Sequence, residues 1–344
     1  MTPNVIKVDH NSDIPLFGVD FIGIIDRGTN IIEIKPSTSC NLKCKYCFVN
    51  SGDYESDFIV DSKFLVERIK YVVDIKGAND IEIHIAPYGE ILLYKDIFEL
   101  IQALWKIPGI KTISMQSNGL LLNGEIINKL NHVGLSRINI SLNTLNEEMA
   151  NYLCNSSHYN MDKLLNNIEI LLKSNIDVLI APVWFPGEND SDIEDIIKMI
   201  LNYRKRGYSE KKIQIGIQKY LIYKTGRKLK KIRPKSWNYF YKQLSRLEKK
   251  YQIKLKLGPH DFGIHKRKLT SILRFNKGDL LKVTIVSKGR WRNEYIGKIS
   301  EIYGIKVLIK DPLIAKDSII GTQLTVRILK ANYKDNIIVA IFPI

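Results

Sequence analysis

The sequence predicts an α/β protein: six strand-then-helix units build a parallel sheet with helices outside, and a small all-β unit follows. Apolar, β-branched runs alternate with segments of helical period through the first three quarters of the chain, the order that gives a parallel sheet. After Gly263 the pattern changes to five short β runs with no helix between them. Three of the four cysteines fall within eight residues just after the first predicted strand, where parallel α/β sheets carry their functional groups.

The first unit pairs the strand Ile31 to Ile34 with a helix from Asp61 to Ile75, whose opening Asp is a capping residue. Ile81 to Ala86 leads into Tyr94 to Trp105, Thr112 to Gln116 into Gly124 to His132, and Arg137 to Leu142 into Met161 to Leu172. Asp177 to Val183 precedes the Asp-opened helix Asp190 to Lys205, and Ile213 to Ile217 precedes Lys235 to Lys250. Right-handed crossovers allow a closed or partial barrel, or an open doubly wound sheet. The β runs are Leu280 to Val286, Tyr295 to Ile302, Lys306 to Lys310, Thr322 to Lys330 and Ile337 to Phe342. They are broken at Lys288-Gly289, Tyr303-Gly304, Lys310-Asp311-Pro312, Gly321 and Tyr333-Lys334-Asp335-Asn336, which describes a small barrel or sandwich.

At 344 residues and 45% hydrophobic content the chain is long enough for one large catalytic domain and a small one. No apolar run approaches a membrane span. Met1 to Ser12 is polar and mixed, unlike a signal peptide, so reduced thiols in the cytoplasm are expected. The net charge of +16 is uneven. Residues 1–203 carry 17 Lys and Arg against 27 Asp and Glu, whereas residues 204–270 carry 22 against 3, and 271–344 carry 13 against 6. A heat-adapted surface would enrich Glu beside Lys. This block of one sign points instead to a polyanion, nucleic acid first.

Cys40, Cys44 and Cys47 stand at a spacing that suits one iron–sulfur cluster, and three thiolates leave one iron open to a small molecule. A structural zinc site would need a second ligand dyad, and a disulfide framework more cysteines and an extracellular setting. Cys154 is the remaining thiol; one cysteine cannot hold a second cluster, so a helix-packed role is expected.

Cys40-x3-Cys44-x2-Cys47, with the aromatic Tyr46 before the last Cys, resembles the signature of the radical S-adenosylmethionine (SAM) superfamily, of the archaeal Fe–S oxidoreductase type. The resemblance covers roughly residues 28 to 225. Tyr88-Gly89-Glu90 looks like that family's Gly-Gly-Glu-Pro motif, Ser117-Asn118-Gly119 like its Thr-Asn-Gly, Ser141-Leu142-Asn143 like its Ser-Leu-Asp, and Pro186 to Asp190 like its Pro-Gly-x-Asn-Asp turn. Tyr88, Ile91 and Asn143 depart from those patterns. The resemblance implies a partial (β/α)6 TIM-like barrel, a [4Fe-4S] cluster on the three cysteines, and SAM bound by Tyr46, Gly89, Glu90, Asn118, Ser141 and Asn143. It also implies a 5'-deoxyadenosyl radical and an electron donor such as ferredoxin or flavodoxin. The β unit looks like the TRAM or OB-like modules appended to RNA-modifying enzymes.

These readings divide the chain into an N-terminal extension (1–27), a radical SAM core (28–225), a basic helical extension (226–270) and a β-barrel (271–344). Gln116, Gln218 and Tyr220 are the candidates to face the radical, and His84 either faces it or lies on the outer face. Lys224, Arg227, Lys228, Lys230, Lys231 and Arg233 form an expected phosphate track. Lys266, Arg267 and Lys268 extend it, and Lys288, Arg290, Trp291 and Arg292 make a basic, aromatic turn expected to touch RNA unless Trp291 packs inward. His260 and Asp261 read as a domain-joining turn before a catalytic pair. The expected activity is modification of RNA, tRNA foremost, at an unactivated carbon by C-methylation, rearrangement or insertion of a carbon fragment. A threonylcarbamoyl side chain on adenosine is one target within that class. The alternatives are a radical SAM enzyme that modifies a peptide or activates a glycyl-radical partner, and a non-catalytic Fe–S protein that binds RNA.

Overall fold

The computed structural model describes residues 3–270, 273–309, 319–332, 335 and 337–343. They form two compact units: residues up to 39, 53–111 and 264 onward make the first, and 40–52 with 112–263 the second.

In the first unit β1 (Asn4–Val8) pairs in parallel with β4 (Ser56–Val60), and β2 (Gly23–Asp26) runs antiparallel to β3 (Ile31–Lys35). Helix α1 (Ser62–Lys76) follows, its N-terminus capped by Asp61, which accepts from the Phe64 amide at 2.9 Å. Strand β5 (Ile81–Ile85) pairs in parallel with β3 and is followed by a short 3-10 turn (Ile91–Leu93) and α2 (Ile97–Trp105). The register sorts the faces. Ile32 opposes Ile83 and Ile34 opposes Ile85, all fully buried, while Glu33 opposes His84 on the other, polar face. His84 therefore lies on the polar face of this sheet.

Strand β6 (Ile110–Ser117), nearly all of it in the second unit, is followed by α3 (Gly124–His132), β7 (Arg137–Ile140), α4 (Glu147–Cys154), α5 (Met161–Lys173), β8 (Asp177–Ile180), β9 (Val183–Trp184), α6 (Asp190–Lys205), β10 (Ile213–Ile215), β11 (Gln218–Lys219) and α7 (Trp237–Tyr251). Strands β6, β7, β8 and β10 pair in parallel in that order, and β9 pairs with β11. Met115, Ile138, Val178 and Ile213 make one fully buried row, and the next row on the opposite face is Gln116, Asn139, Leu179 and Gln214. Gln116 thus belongs to a polar row near the ends of the parallel strands. The expected strand Asp177 to Val183 is split, because Pro182 has no amide to give a ladder.

The chain then returns to the first unit with β12 (Leu280–Lys288), β13 (Glu294–Lys298), β14 (Gly304–Ile309), β15 (Gln323–Asn332) and β16 (Ile337–Phe342), which close a barrel in the order β12-β13-β14-β16-β15. Val283, Ile285, Tyr295, Val307, Val326 and Ile328 are among its core side chains. The expected run Tyr295 to Ile302 ends at Lys298, where the amides of Ile299 and Ser300 turn onto Tyr303 O. Lys310, Asp311, Pro312, Tyr333, Lys334 and Asn336, expected at a strand end or in breaks, lie outside the described residues. Within this unit the N-terminal segment lies against the barrel. Gly304 N donates to Phe17 O at 2.7 Å and Ile338 N to Gly18 O at 3.1 Å. Gly18 holds φ +89°, and a Cβ there would stand 1.9 Å from Gly304 O, so only glycine fits. No helix among the described residues is long and apolar enough to cross a membrane.

Candidate active site

The cysteine loop, residues 40–52, carries no regular element, so its backbone must be held from outside. Within the second unit Arg227 does most of this. Its Nε donates to Cys44 O at 2.7 Å, its Nη2 to Ser51 O at 2.6 Å, and its amide to Cys47 O at 2.8 Å. Gly226 permits the approach, since a Cβ there would lie 2.6 Å from Phe48 O. Lys45 N donates to Leu153 O at 2.8 Å and Ser51 N to Cys47 Sγ at 3.4 Å. Arg227, expected on the phosphate track, is instead turned inward as the clamp of this loop.

All four cysteines are reduced, and the three of the loop are half-buried. Cys154, buried at the end of α4, hydrogen-bonds the Cys44 thiol; that bond, followed by burial, holds Cys44 well above the ordinary thiol range. Cys154 is therefore helix-packed and also touches the loop. Among the described residues no three Cys, His, Asp or Glu side chains are already gathered for a metal. The donor set still fits an iron–sulfur cluster: three thiols outside any disulfide on one short loop, with a backbone N–H directed at one sulfur.

The polar residues flanking the loop are tied to one another. Asn143, buried after β7, donates through Nδ2 to Tyr46 Oη at 2.5 Å and accepts from Val183 N at 2.7 Å. Its backbone oxygen accepts from Asn189 Nδ2 at 2.9 Å, which joins the Pro186 to Asp190 turn to the same network. Asn143 and Tyr46 are thus a positioning pair, with Tyr46 packed 5.0 Å from Phe185, and burial holding its phenol above the ordinary range. Asn118 Nδ2 donates to Asn41 Oδ1 at 2.8 Å, and its Oδ1 accepts from Leu120 N at 3.0 Å. Ser141 is half-buried beside this group, its amide donating to Ser117 O. Tyr220, expected to face the radical, is 2% exposed and accepts from Leu229 N at 2.9 Å, so it holds the following segment in place. Gln218 is exposed on β11.

In the first unit the Tyr88-Gly89-Glu90 turn is built against Ser39, the residue before Cys40. Glu90 N donates to Ser39 O at 2.8 Å, and a Cβ on Gly89 would stand 2.0 Å from that oxygen. The Glu90 carboxylate is buried and its Oε1 accepts from Leu92 N at 3.1 Å, which caps the turn. Behind the turn, Lys35 Nζ donates to Ala86 O at 2.8 Å and to Glu33 at 2.6 Å and lies 4.5 Å from the Tyr88 ring centroid. Burial would raise the Glu33 carboxyl, but Lys35 and Arg27 outweigh it and hold it at about 2.

The basic turn after β12 departs from expectation. Arg290 is 2% exposed, bound to Glu294 at 3.1 and 3.2 Å, with its guanidinium over Phe21 at 4.4 Å and Tyr88 at 5.4 Å. Trp291 is half-buried and edge-on to Tyr54 at 5.2 Å. Lys288 is half-buried and Arg292 exposed. The turn is a packing joint inside the first unit, because the Phe21 and Tyr54 rings give Arg290 a better place than water does. Arg267 is likewise engaged, donating to Asn79 O at 2.8 Å, while Lys266 and Lys268 are exposed. Asp261 hydrogen-bonds Gly258 N and pairs with Lys254, as a structural turn does, with His260 beside it exposed.

A family model described as the radical SAM superfamily matches residues 34–200. Residues 34–200 form a radical SAM superfamily domain, and the cofactors of that superfamily are a [4Fe-4S] cluster and SAM. The chain is 35% identical to an uncharacterized protein of Methanocaldococcus jannaschii, over 96% of this chain and 79% of that one. It is 33% identical to the GTP 3',8-cyclase of Clostridium perfringens strain 13 over 50% of this chain, and spans about half the length of that enzyme (52%). The solved structure of HydG, a maturase of the [FeFe]-hydrogenase, shares the fold at a TM-score of 0.53 with 14% identity, over 69% of this chain and 51% of that one.

Proposed function

We propose that the protein is a radical SAM enzyme that modifies RNA, with tRNA as the first candidate. The observation that carries this is a basic segment anchored to the cysteine loop. Arg227 N is bonded to Cys47 O, and around that anchor Lys224, Lys228, Lys230, Lys231 and Arg233 are exposed, none of them in an ion pair among the described residues. Unneutralised like charges this dense are costly alone and are stabilised by a phosphate backbone.

In this reading residues 28–225 form the catalytic core, 226–270 the basic extension and 271–344 the barrel, an OB- or TRAM-like module. Cys40, Cys44 and Cys47 would hold the cluster, whose chemistry with SAM is to supply a 5'-deoxyadenosyl radical for hydrogen abstraction, given one electron from a donor such as ferredoxin or flavodoxin. Arg227 holds the loop for it, Gly89 leaves room for the turn against Ser39, and Asn143 orients Tyr46. Gln116, on the polar strand row, is the side chain we assign to face substrate. The GTP 3',8-cyclases match only about half of their length here, so a free nucleotide is the competing substrate. Mass spectrometry of nucleosides from a strain lacking the protein should show one modification missing or truncated; an unchanged nucleoside profile would refute the proposal.

A further inference from the structure

The start of α7 and the cysteine loop expose more aromatic surface than packing explains. Trp237 is 53% exposed and Tyr241 49%, one turn apart on α7, with their rings stacked at 5.9 Å and 25° and Lys219 Nζ 4.9 Å from the Trp237 centroid. Helical spacing puts them on one face, while Phe240 and Leu244 point into the unit. A second pair joins the loop to the segment before Lys224: Phe48, next to Cys47, is 52% exposed, and Tyr223 is 49% exposed, with centroids 5.8 Å apart. Single exposed rings are ordinary; two exposed aromatic pairs in one unit, one stacked and one tilted at 54°, are not.

Charge chooses the occupant. At the far end of α7 and just beyond it, Lys250 is paired with Glu194 at 2.5 Å and Lys256 with Glu248 at 3.1 Å. Between the two aromatic pairs in sequence, the exposed cations of residues 224–233 have no such carboxylate among the described residues. Cations spaced between exposed rings suit a chain that alternates phosphates with unpaired bases, since every base offers a π-face whereas a duplex hides it. An acidic peptide would answer the charge and leave the rings unused.

We propose that Phe48–Tyr223 and Trp237–Tyr241 are two stacking platforms for unpaired bases of a single-stranded RNA segment, the first beside the cluster so that it seats a base next to the reacting nucleoside. This rests on the RNA reading above and narrows it to a loop or an unpaired end.

The test is fluorescence anisotropy of the full-length, anaerobically purified protein with a labelled single-stranded RNA of about a dozen nucleotides, a hairpin carrying that sequence in its loop, and a blunt duplex of equal length. The single strand and the hairpin should bind well ahead of the duplex. Trp237→Ala with Tyr241→Ala, and Phe48→Ala with Tyr223→Ala, should each weaken binding by about 5- to 150-fold without changing the salt slope. Trp237→Phe with Tyr241→Phe should restore it, which separates stacking from misfolding. Lys228→Gln with Lys230→Gln should instead flatten the salt slope by about 1.4. Unchanged affinity in both alanine pairs, or equal affinity for duplex, would overturn the platforms and leave RNA modification standing. Wild-type protein that binds polyglutamate as tightly as RNA, or binds no RNA, would overturn both.

Discussion

Replacing Arg227 by Met removes two charge-assisted hydrogen bonds, to Cys44 O at 2.7 Å and Ser51 O at 2.6 Å, and retains a similar length of apolar stem. Bonds to a charged donor contribute about 1.5–3 kcal/mol each, and two bonds from one side chain are not additive, so roughly 2–4 kcal/mol is lost locally. Arg227 is half-buried, which argues for the lower half of that range. At 1.4 kcal/mol per tenfold, about 2 kcal/mol corresponds to roughly 30-fold easier opening of the loop. Hydrogen exchange in the native protein reads this directly at the amides of Cys47 and Asn50, which donate to Cys44 O and Cys47 O. Their protection should fall about 30-fold while that of β6 and β7 stays unchanged, and iron content after reconstitution should drop with it. Arg227→Lys should behave almost as badly, because an ammonium cannot span both carbonyls as the planar fork does. Unchanged protection in Arg227→Met, or full rescue by Lys, would refute the clamp.

Gly89→Ala should weaken SAM binding by about 10- to 100-fold at unchanged iron content in equilibrium dialysis, because its Cβ would meet Ser39 O at 2.0 Å; unchanged affinity would show that the turn yields. Glu33, held at about 2 in the fold against an ordinary carboxyl near 4.5, contributes stability that is present above pH 4.5 and lost as pH falls toward 2. Glu33→Gln should flatten the acid limb of the urea midpoint and cost about 3–5 kcal/mol at neutral pH, since Lys35 would stay buried without its carboxylate; an acid limb like that of the wild type would count against the network. Arg290→Met should destabilise the fold by leaving the buried Glu294 with only Lys306, at 3.8 Å, as its cation, yet leave the salt slope of RNA binding untouched, whereas a slope reduced by about one would return this turn to the RNA interface.

The cysteine spacing and the parallel core were legible because both are local: three thiols in one loop, and β-branched runs whose period survives without their partners. The split of the fifth strand was legible in principle, since Pro182 marks it. Strand β1 was not, because Asn4–Val8 is ordered by pairing with residues 56–60 far along the chain. Arg290 reads as an exposed basic tip until Phe21 and Tyr54, more than two hundred residues earlier, enclose it. Asn143 and Glu90 read as cofactor ligands; that Asn143 also bonds Tyr46 and Glu90 also caps the turn at the Leu92 amide is visible only in the fold. The aromatic pairs were missed for the opposite reason: Trp237 looks like core, and that it faces solvent is a tertiary fact.

The central claim is most directly tested by incubating the anaerobically reconstituted protein with SAM, reductant and unfractionated tRNA lacking the modification, while counting 5'-deoxyadenosine and digesting the RNA to nucleosides. 5'-Deoxyadenosine should form in dependence on RNA and on Cys40, Cys44 and Cys47, in step with a mass change in one nucleoside. Release that ignores RNA and rises with GTP or a peptide, or no release at all, would contradict that claim.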